Sequence, residues 1–173
     1  MQFIQCNRAD HAAAILEIFN EAIANSTALY DYQLRTEASM VSWFDARSEQ
    51  NFPVIGAIDP QGRLMGFASY DRFRARPACK YTLEHSVYVH ARHRGKGVGR
   101  GLLEQLIAMA REQQYHTLIG ALDMNNRASM ALHESLGFVH VGTIREAAFK
   151  FGRWLDLGFY QLILSTPEQP VEG

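Results

Sequence analysis

The stretch His85-Ser-Val-Tyr-Val-His-Ala-Arg-His-Arg94-Gly-Lys-Gly97-Val-Gly99-Arg-Gly101-Leu-Leu organises the rest of this chain. It reads as an apolar strand, then a loop with glycine at every second position, then an amphipathic helix. That order gathers unhindered backbone N–H groups at a helix start, where the positive end of the helix dipole also lies. Such a place holds a phosphate or pyrophosphate without a metal. Two known phosphate loops do not fit. In the P-loop, Gly-Lys is followed by Ser or Thr, whereas Lys96 is followed by Gly97. In the dinucleotide fingerprint the third glycine would fall on Arg100 or on Leu102, depending on register. What remains is Arg94-x-x-Gly97-x-Gly99, with a plain strand-to-helix turn as the alternative reading.

Upstream, Gln2 to Cys6 fits a first strand, and Ala12 to Ala24 places Ala14, Ile15, Ile18, Phe19 and Ala22 at helical spacing. Thr27 to Leu34 reads as a loop with aromatic side chains. Thr36 can cap a second helix to about Glu49, with Met40, Val41, Phe44 and Ala46 inward and Trp43 as core or interface. Phe52–Asp59 and Leu64–Tyr70 are strand-like around the turn Asp59-Pro-Gln-Gly62. An arginine-rich stretch, Asp71 to Lys80, precedes the strand Tyr81–Val89.

Downstream of the glycine loop, Val98, Leu102, Leu103, Leu106, Ile107 and Ala110 mark one face of a long helix. Thr117–Leu122 is an apolar strand, and Asn125–Leu136 is a short helix ended by Gly137. Phe138–Thr143 and Leu157–Leu164 are two last strands. The order β-α-α-β-β-β-α-β-α-β-β predicts an α/β domain over residues 1–165 with a mixed sheet, and a flexible tail over 166–173.

At 173 residues one domain with a proper core is expected. A net charge of −1 gives no electrostatic case for nucleic acid. No apolar run approaches membrane-spanning length, and Met1 to Asp10 lacks the pattern of a signal peptide. Two cysteines, Cys6 and Cys79, make no disulfide framework and fit a reducing compartment. A cytoplasmic location is expected. His90-x-x-His93 lacks a third ligand, so no metal is expected.

The strand with Arg94-x-x-Gly97-x-Gly99, followed by Asn126-x-x-Ser129 and Leu132-His133-x-x-x-Gly137-Phe138, resembles the GCN5-related N-acetyltransferase (GNAT) superfamily. Its fold is a mixed, mostly antiparallel sheet flanked by helices. Glu84-His85-Ser86-Val87-Tyr88-Val89, Thr27-Ala28-Leu29-Tyr30 and Lys150-Phe151-Gly152-Arg153-Trp154-Leu155-Asp156 are similar to the phosphinothricin and methionine sulfoximine acetyltransferases. The resemblance implies acetyl-CoA as cosubstrate, no metal, and a homodimer. It places pyrophosphate on Arg94, Gly95, Lys96, Gly97, Val98, Gly99 and Arg100, and the pantetheine arm along Val87, Tyr88 and Val89, like an added strand. Asn126 would hydrogen-bond the arm or cap its helix, and Ser135 would line it.

Acetyl transfer needs a neutral amine, and an α-amino group titrates near ~8, so a weak base acting through water suffices. Glu84 is the leading candidate, either as base or as partner of the substrate ammonium, with His85 a second choice. A backbone N–H near Val87 can face the oxyanion that develops at the thioester. Many relatives place a tyrosine acid where this chain has His133; His133 serves as acid here, or the thiolate leaves unassisted. The acceptor implied is a small amino acid bearing a carboxylate and a phosphinate, sulfone or sulfoximine, a detoxification substrate tied to herbicide resistance. The resemblance gives it Tyr30, Phe73, Arg74, Ala75, Arg76, Glu84, His85 and Ser86, since guanidinium groups bind oxyanions bidentately. The Lys150 to Trp154 segment completes the pocket or makes the dimer contact.

Three functions follow: this transferase, a GNAT enzyme for a protein N-terminus, polyamine or other small amine, and a CoA-binding sensor without turnover. The arginine loop disfavours a polyamine, and Glu84 together with Asn126 disfavours the sensor.

Overall fold

The computed structural model describes residues 1–172, and four α-helices and seven strands form the framework among them. They run β1 (Gln2–Gln5), α1 (Arg8–Asn25), α2 (Glu37–Glu49), β2 (Val54–Ile58), β3 (Leu64–Arg72), β4 (Thr82–Val89), α3 (Val98–Glu112), β5 (Thr117–Asp123), α4 (Arg127–Ser135), β6 (Val139–Lys150) and β7 (Arg153–Ile163). This is the element order expected from the sequence. The seven strands lie in the order β1-β2-β3-β4-β5-β7-β6, with β4 and β5 parallel and β1–β2, β2–β3, β5–β7 and β6–β7 antiparallel.

The chain divides into two compact units. The first comprises Met1–Ser69 and Ser86–Leu106. Asn7 caps α1 by accepting the Asp10 N–H at 2.8 Å, and Thr36 caps α2 through the Ser39 N–H. Ile15, Ile18 and Phe19 of α1 and Met40 and Phe44 of α2 bury against Val54 and Phe67, with Trp43 and Tyr88 packed beside them. Residues 40, 43, 44 and 47 share the inward face of α2, so Val41 and Ala46, expected inside, are exposed. Gly66 lets β3 approach the end of β4, since an added Cβ would sit 2.7 Å from the Tyr88 carbonyl oxygen. The β2–β3 turn is an Asx turn: Asp59 Oδ1 accepts from the N–H groups of Gln61 and Arg63.

The second unit comprises Tyr70–His85 and the residues from Ile107 onward. Thr82–His85 pair with Thr117–Gly120 in parallel register. The sequence reading missed most of its largest feature. Instead of ending at Thr143 and resuming at Leu157, β6 and β7 form one hairpin around Phe151-Gly152, whose φ values are 51° and 73°. Positive φ at both turn positions matches the right-handed twist of the strands. The hairpin shows no clean alternation because β6 is exposed along most of its length and irregular in register between His140/Gly142 and Ile144/Ala148. Towards the end of the described chain, the Thr166 hydroxyl donates to the Tyr115 carbonyl, the His116 ring meets the Thr166 carbonyl at 2.8 Å, and the Val171 N–H donates to the Tyr81 hydroxyl.

No helix among the described residues is long and apolar enough to cross a membrane. Both cysteines are free thiols, and burial pushes Cys6 up to about 12.

Candidate active site

The glycine loop is built by its backbone. Gly95 and Gly97 have φ of 72° and 79°, a region that L side chains rarely adopt, and both face open space. Gly101 has a different reason, because an added Cβ would collide with the Phe3 ring. The Gly101 N–H donates back to the Gly97 carbonyl, closing the first turn of α3 and leaving the N–H groups before it at the helix mouth. The whole face read for α3, from Val98 to Ala110, is buried as expected.

The side chains of this loop point elsewhere. Arg94 Nη2 donates to Glu21 Oε2 at 2.6 Å, and its Nε donates to the Val89 carbonyl at 3.0 Å. Lys96 Nζ donates to the Arg92 carbonyl at 2.8 Å, and Arg100 pairs with Glu104. Arg94 therefore braces the end of β4 against α1. Val87, Tyr88 and Val89 are half-buried on β4, and Tyr88 rests against Phe19 and Phe67 with ring centroids 5.2 and 5.4 Å away. Tyr30, from the aromatic loop, is likewise half-buried. His90 and His93 lie near each other, but among the described residues no three His, Cys, Asp or Glu side chains gather as metal ligands.

In the second unit, Glu84 is half-buried on β4. Burial, reinforced by the nearby Asp71 carboxylate, raises its affinity for a proton above that of an ordinary glutamate. A carboxylate shifted this way is better matched to taking a proton near neutrality. Asn126 caps α4 by accepting the Ser129 N–H at 3.1 Å, and its Nδ2 makes no hydrogen bond among the described residues. Cap and ligand roles are thus compatible. Ser135, which is exposed, donates to the Leu132 carbonyl. Phe73 is half-buried, while Arg72, Arg74, Ala75 and Arg76 are exposed and the three arginines form no salt bridge among the described residues.

His85 and His133 form a buried couple that neither motif announces. Their Nε2 atoms are 2.9 Å apart, and the rings stack with centroids 5.1 Å apart. Gly120 makes the room, since a Cβ there would meet His133 Nε2 at 2.8 Å and His85 Cε1 at 3.0 Å. The tautomers follow from donor counting. His133 Nδ1 lies 2.7 Å from the Ser129 carbonyl, which only accepts, so Nδ1 carries the proton. His133 Nε2 then accepts from His85 Nε2–H, and the buried His85 Nδ1 makes no full hydrogen bond among the described residues.

Burial, with His133 beside it, pushes His85 down to about 3, although the Ile119 carbonyl works the other way. His133 is also shifted down by burial, partly opposed by its bond to Ser129. With its Nδ1–H directed at the Ser129 carbonyl, the neutral His133 ring presents Nε2 to His85. His85 points into this couple, and because consecutive side chains on a strand face opposite sides, Glu84 takes the other face. Only topology brings residues 48 positions apart together, so no local signal in the sequence could have paired them.

A strand leading into a backbone-built anion site, with a proton-seeking carboxylate at its start and an asparagine-capped helix after the next strand, is the arrangement of an acyl-CoA-dependent transferase. The chain belongs to the acetyltransferase (GNAT) family, whose model matches residues 14–138. It is 44% identical over 150 residues to the L-methionine sulfoximine/L-methionine sulfone acetyltransferase of Pseudomonas paraeruginosa, covering 87% of each chain. It is 40% identical to the L-amino acid N-acyltransferase MnaT of Escherichia coli, covering 96% of each. Among solved structures, the phosphinothricin acetyltransferase of Sinorhizobium meliloti in complex with AcCoA superimposes with a TM-score of 0.94 at 32% identity, covering 99% of this chain and 94% of that one.

Proposed function

We propose that this enzyme transfers the acetyl group of acetyl-CoA to the α-amino group of a small amino acid of the methionine sulfone, methionine sulfoximine or phosphinothricin type. The observation that carries the mechanism is Glu84, half-buried and shifted toward protonation on the strand that leads into the glycine loop. The names of the relatives at 40–44% identity support the acceptor class.

The loop N–H groups from Gly95 to Arg100 hold the pyrophosphate, and Val87 to Val89 with Asn126 hold the pantetheine arm. Glu84 draws a proton from the acceptor ammonium through water, freeing the lone pair for attack on the thioester. A β4 N–H near Val87 stabilises the developing oxyanion. The thiolate of CoA leaves without a proton from His133; a thiol of ordinary pKa near ~8.5 makes it a competent leaving group. Tyr30, Phe73, Arg74, Ala75, Arg76 and Ser86 contact the acceptor, and acetylation would remove the charge of a toxic amino acid, the chemistry of herbicide detoxification.

We further propose a homodimer in the cytoplasm. Val139, Val141, Ile144, Phe149, Phe151, Trp154 and Ile163 are all exposed on or beside the β6–β7 hairpin, a concentration of large apolar side chains that a partner subunit would cover. Two free thiols fit a reducing compartment. Light scattering on the purified enzyme should give twice the 19.6 kDa chain mass.

A thiol-release assay with methionine sulfone, methionine sulfoximine, phosphinothricin and a peptide panel tests the activity. Release with the amino acids is expected; release with peptides alone would overturn the acceptor class.

A further inference from the structure

The first unit holds a cationic cluster on the α1–α2 side that the proposed chemistry leaves unused. Arg35 ends the loop between the two helices, one residue before the α2 cap. Asn20 on α1 clasps its backbone from both sides, accepting the Arg35 N–H at 2.8 Å and donating to the Arg35 carbonyl at 3.1 Å. The guanidinium lies over the buried Phe19 ring, 3.9 Å from its centroid. Its Nε and Nη2 both donate to one oxygen, Asp31 Oδ2, at 3.2 and 3.0 Å. A second guanidinium, Arg47, lies 3.9 Å over Trp43, and Phe19 and Trp43 meet edge to face.

Three features separate this from an ordinary structural ion pair. Arginine–carboxylate pairs frequently engage both oxygens in a fork, whereas Arg35 spends two nitrogens on one. Its Nη1 makes no hydrogen bond among the described residues, and the side chain is 25% exposed. A long side chain that is clasped, stacked and paired has already lost the rotamer freedom that binding would otherwise cost. The Phe19 ring joins the cluster to β4, since Tyr88 packs against it at 5.2 Å. Burial pushes the Tyr88 phenol up to about 12, with Asp31 adding to the rise, while Arg35, the Ser86 side chain and Arg47 work the other way. The cluster therefore borders the Ser86–Tyr88 face of β4.

We propose that Arg35 anchors the α-carboxylate of the acceptor through its Nη1 edge, with Arg47 strengthening the positive field and the aromatic floor taking aliphatic surface. This rests on the acetyl-transfer reading above. The α-carboxylate is bonded to the carbon that carries the attacking amine, so it must lie close to β4, where the thioester is held.

The test compares wild type, Arg35→Gln and Asp31→Asn with L-methionine sulfone and its carboxamide, which lacks the negative charge. Turnover and calorimetric binding to the CoA-loaded enzyme are both read. Arg35→Gln should raise KM and Kd for the acid by about tenfold, as expected for loss of a hydrogen bond to a charged group. It should erase the preference for acid over carboxamide and leave kcat and the KM for acetyl-CoA within about twofold. Asp31→Asn should do the opposite, lowering Kd for the acid by releasing Arg35 from its competitor; a purely structural pair would not respond that way. An unchanged acid preference in Arg35→Gln overturns the proposal. If that variant does not fold, an unchanged or raised Kd in Asp31→Asn overturns it. A wild type that acetylates only peptides defeats the acceptor class by itself, and the carboxylate anchor then stands or falls on whether methionine sulfone binds wild type more tightly than Arg35→Gln.

Discussion

In the proposed mechanism, the Arg94–Gly101 loop and the groups assigned to the acceptor solve recognition by opposite means. The loop uses backbone: two glycines at positive φ, a helix mouth, and charged side chains turned away to Glu21, Arg92 and Glu104. The acceptor groups use side chains: one shifted carboxylate, exposed arginines, and a clasped guanidinium in the α1–α2 loop. A backbone site is written in the sequence as glycine spacing. A side-chain site has no spacing of its own, since the fold assembles it from distant residues. The first should be sensitive to backbone shape and indifferent to charge removal, and the second the reverse.

The largest expected effect is that of Glu84→Gln, which removes the base and leaves the loop untouched. Turnover should fall by roughly 10²–10⁴-fold, the usual worth of a positioned general base. The KM for acetyl-CoA should stay within about twofold. Steady-state kinetics at neutral pH decide this, and unchanged turnover would remove Glu84 from the mechanism.

The buried couple predicts an acid limb in stability. His85 titrates near 6.5 unfolded and about 3 folded, so below 6.5 the unfolded chain binds the extra proton. The stability gained by keeping the ring neutral is complete above pH 6.5 and is lost as pH falls toward 3, at about 1.4 kcal/mol per pH unit for one proton. His133, also shifted down, adds to this loss. Glu84 acts with the opposite sign, because its raised affinity makes the folded state the better proton binder as pH falls. His85→Gln keeps an N–H for His133 and cannot be charged, so its unfolding free energy should fall less steeply below pH 6.5. Parallel curves for the two proteins in denaturant titrations would show that His85 is not the group responsible.

Gly97→Val tests the backbone half. Nothing stands within 4 Å of a Cβ there, so the penalty comes from φ of 79° alone. Forcing a β-branched residue into that region costs on the order of 1–3 kcal/mol, and a loop that relaxes away loses its N–H alignment. The KM for acetyl-CoA should rise by about tenfold or more, with the KM for the acceptor little changed.

How much could be read in advance follows the same division. The α3 face was legible from Val98 to Ala110 because a strongly amphipathic helix repeats its pattern over four turns. In α2 the apolar residues are sparse, so Val41 and Ala46 were placed inside when Trp43 and the stem of Arg47 occupy that face. The hairpin from Val139 to Ile163 was legible only at its ends, because an exposed strand with register breaks carries no period-two signal. Asn126 could be read as a cap or as a ligand, and the geometry allows both. The His85–His133 couple and the Asn20 clasp on Arg35 depend on tertiary approach and left no trace in spacing.

The smallest expected effect is also the sharpest discriminator. In sequence, Arg94 looks like a phosphate ligand at the mouth of the glycine loop, yet its guanidinium bonds Glu21 and the Val89 carbonyl. The pair is 47% and 18% exposed at its two side chains, which limits its contribution to about 1 kcal/mol or less. Arg94→Ala should therefore lower stability slightly while leaving the KM for acetyl-CoA within about twofold. The salt dependence of that KM is the stricter reading, because a guanidinium on phosphate contributes a screened charge interaction and backbone N–H groups carry no net charge. If the substitution raises the KM about tenfold and also flattens its salt dependence, Arg94 swings from Glu21 to the pyrophosphate, and the division between a backbone half and a side-chain half fails at its clearest point.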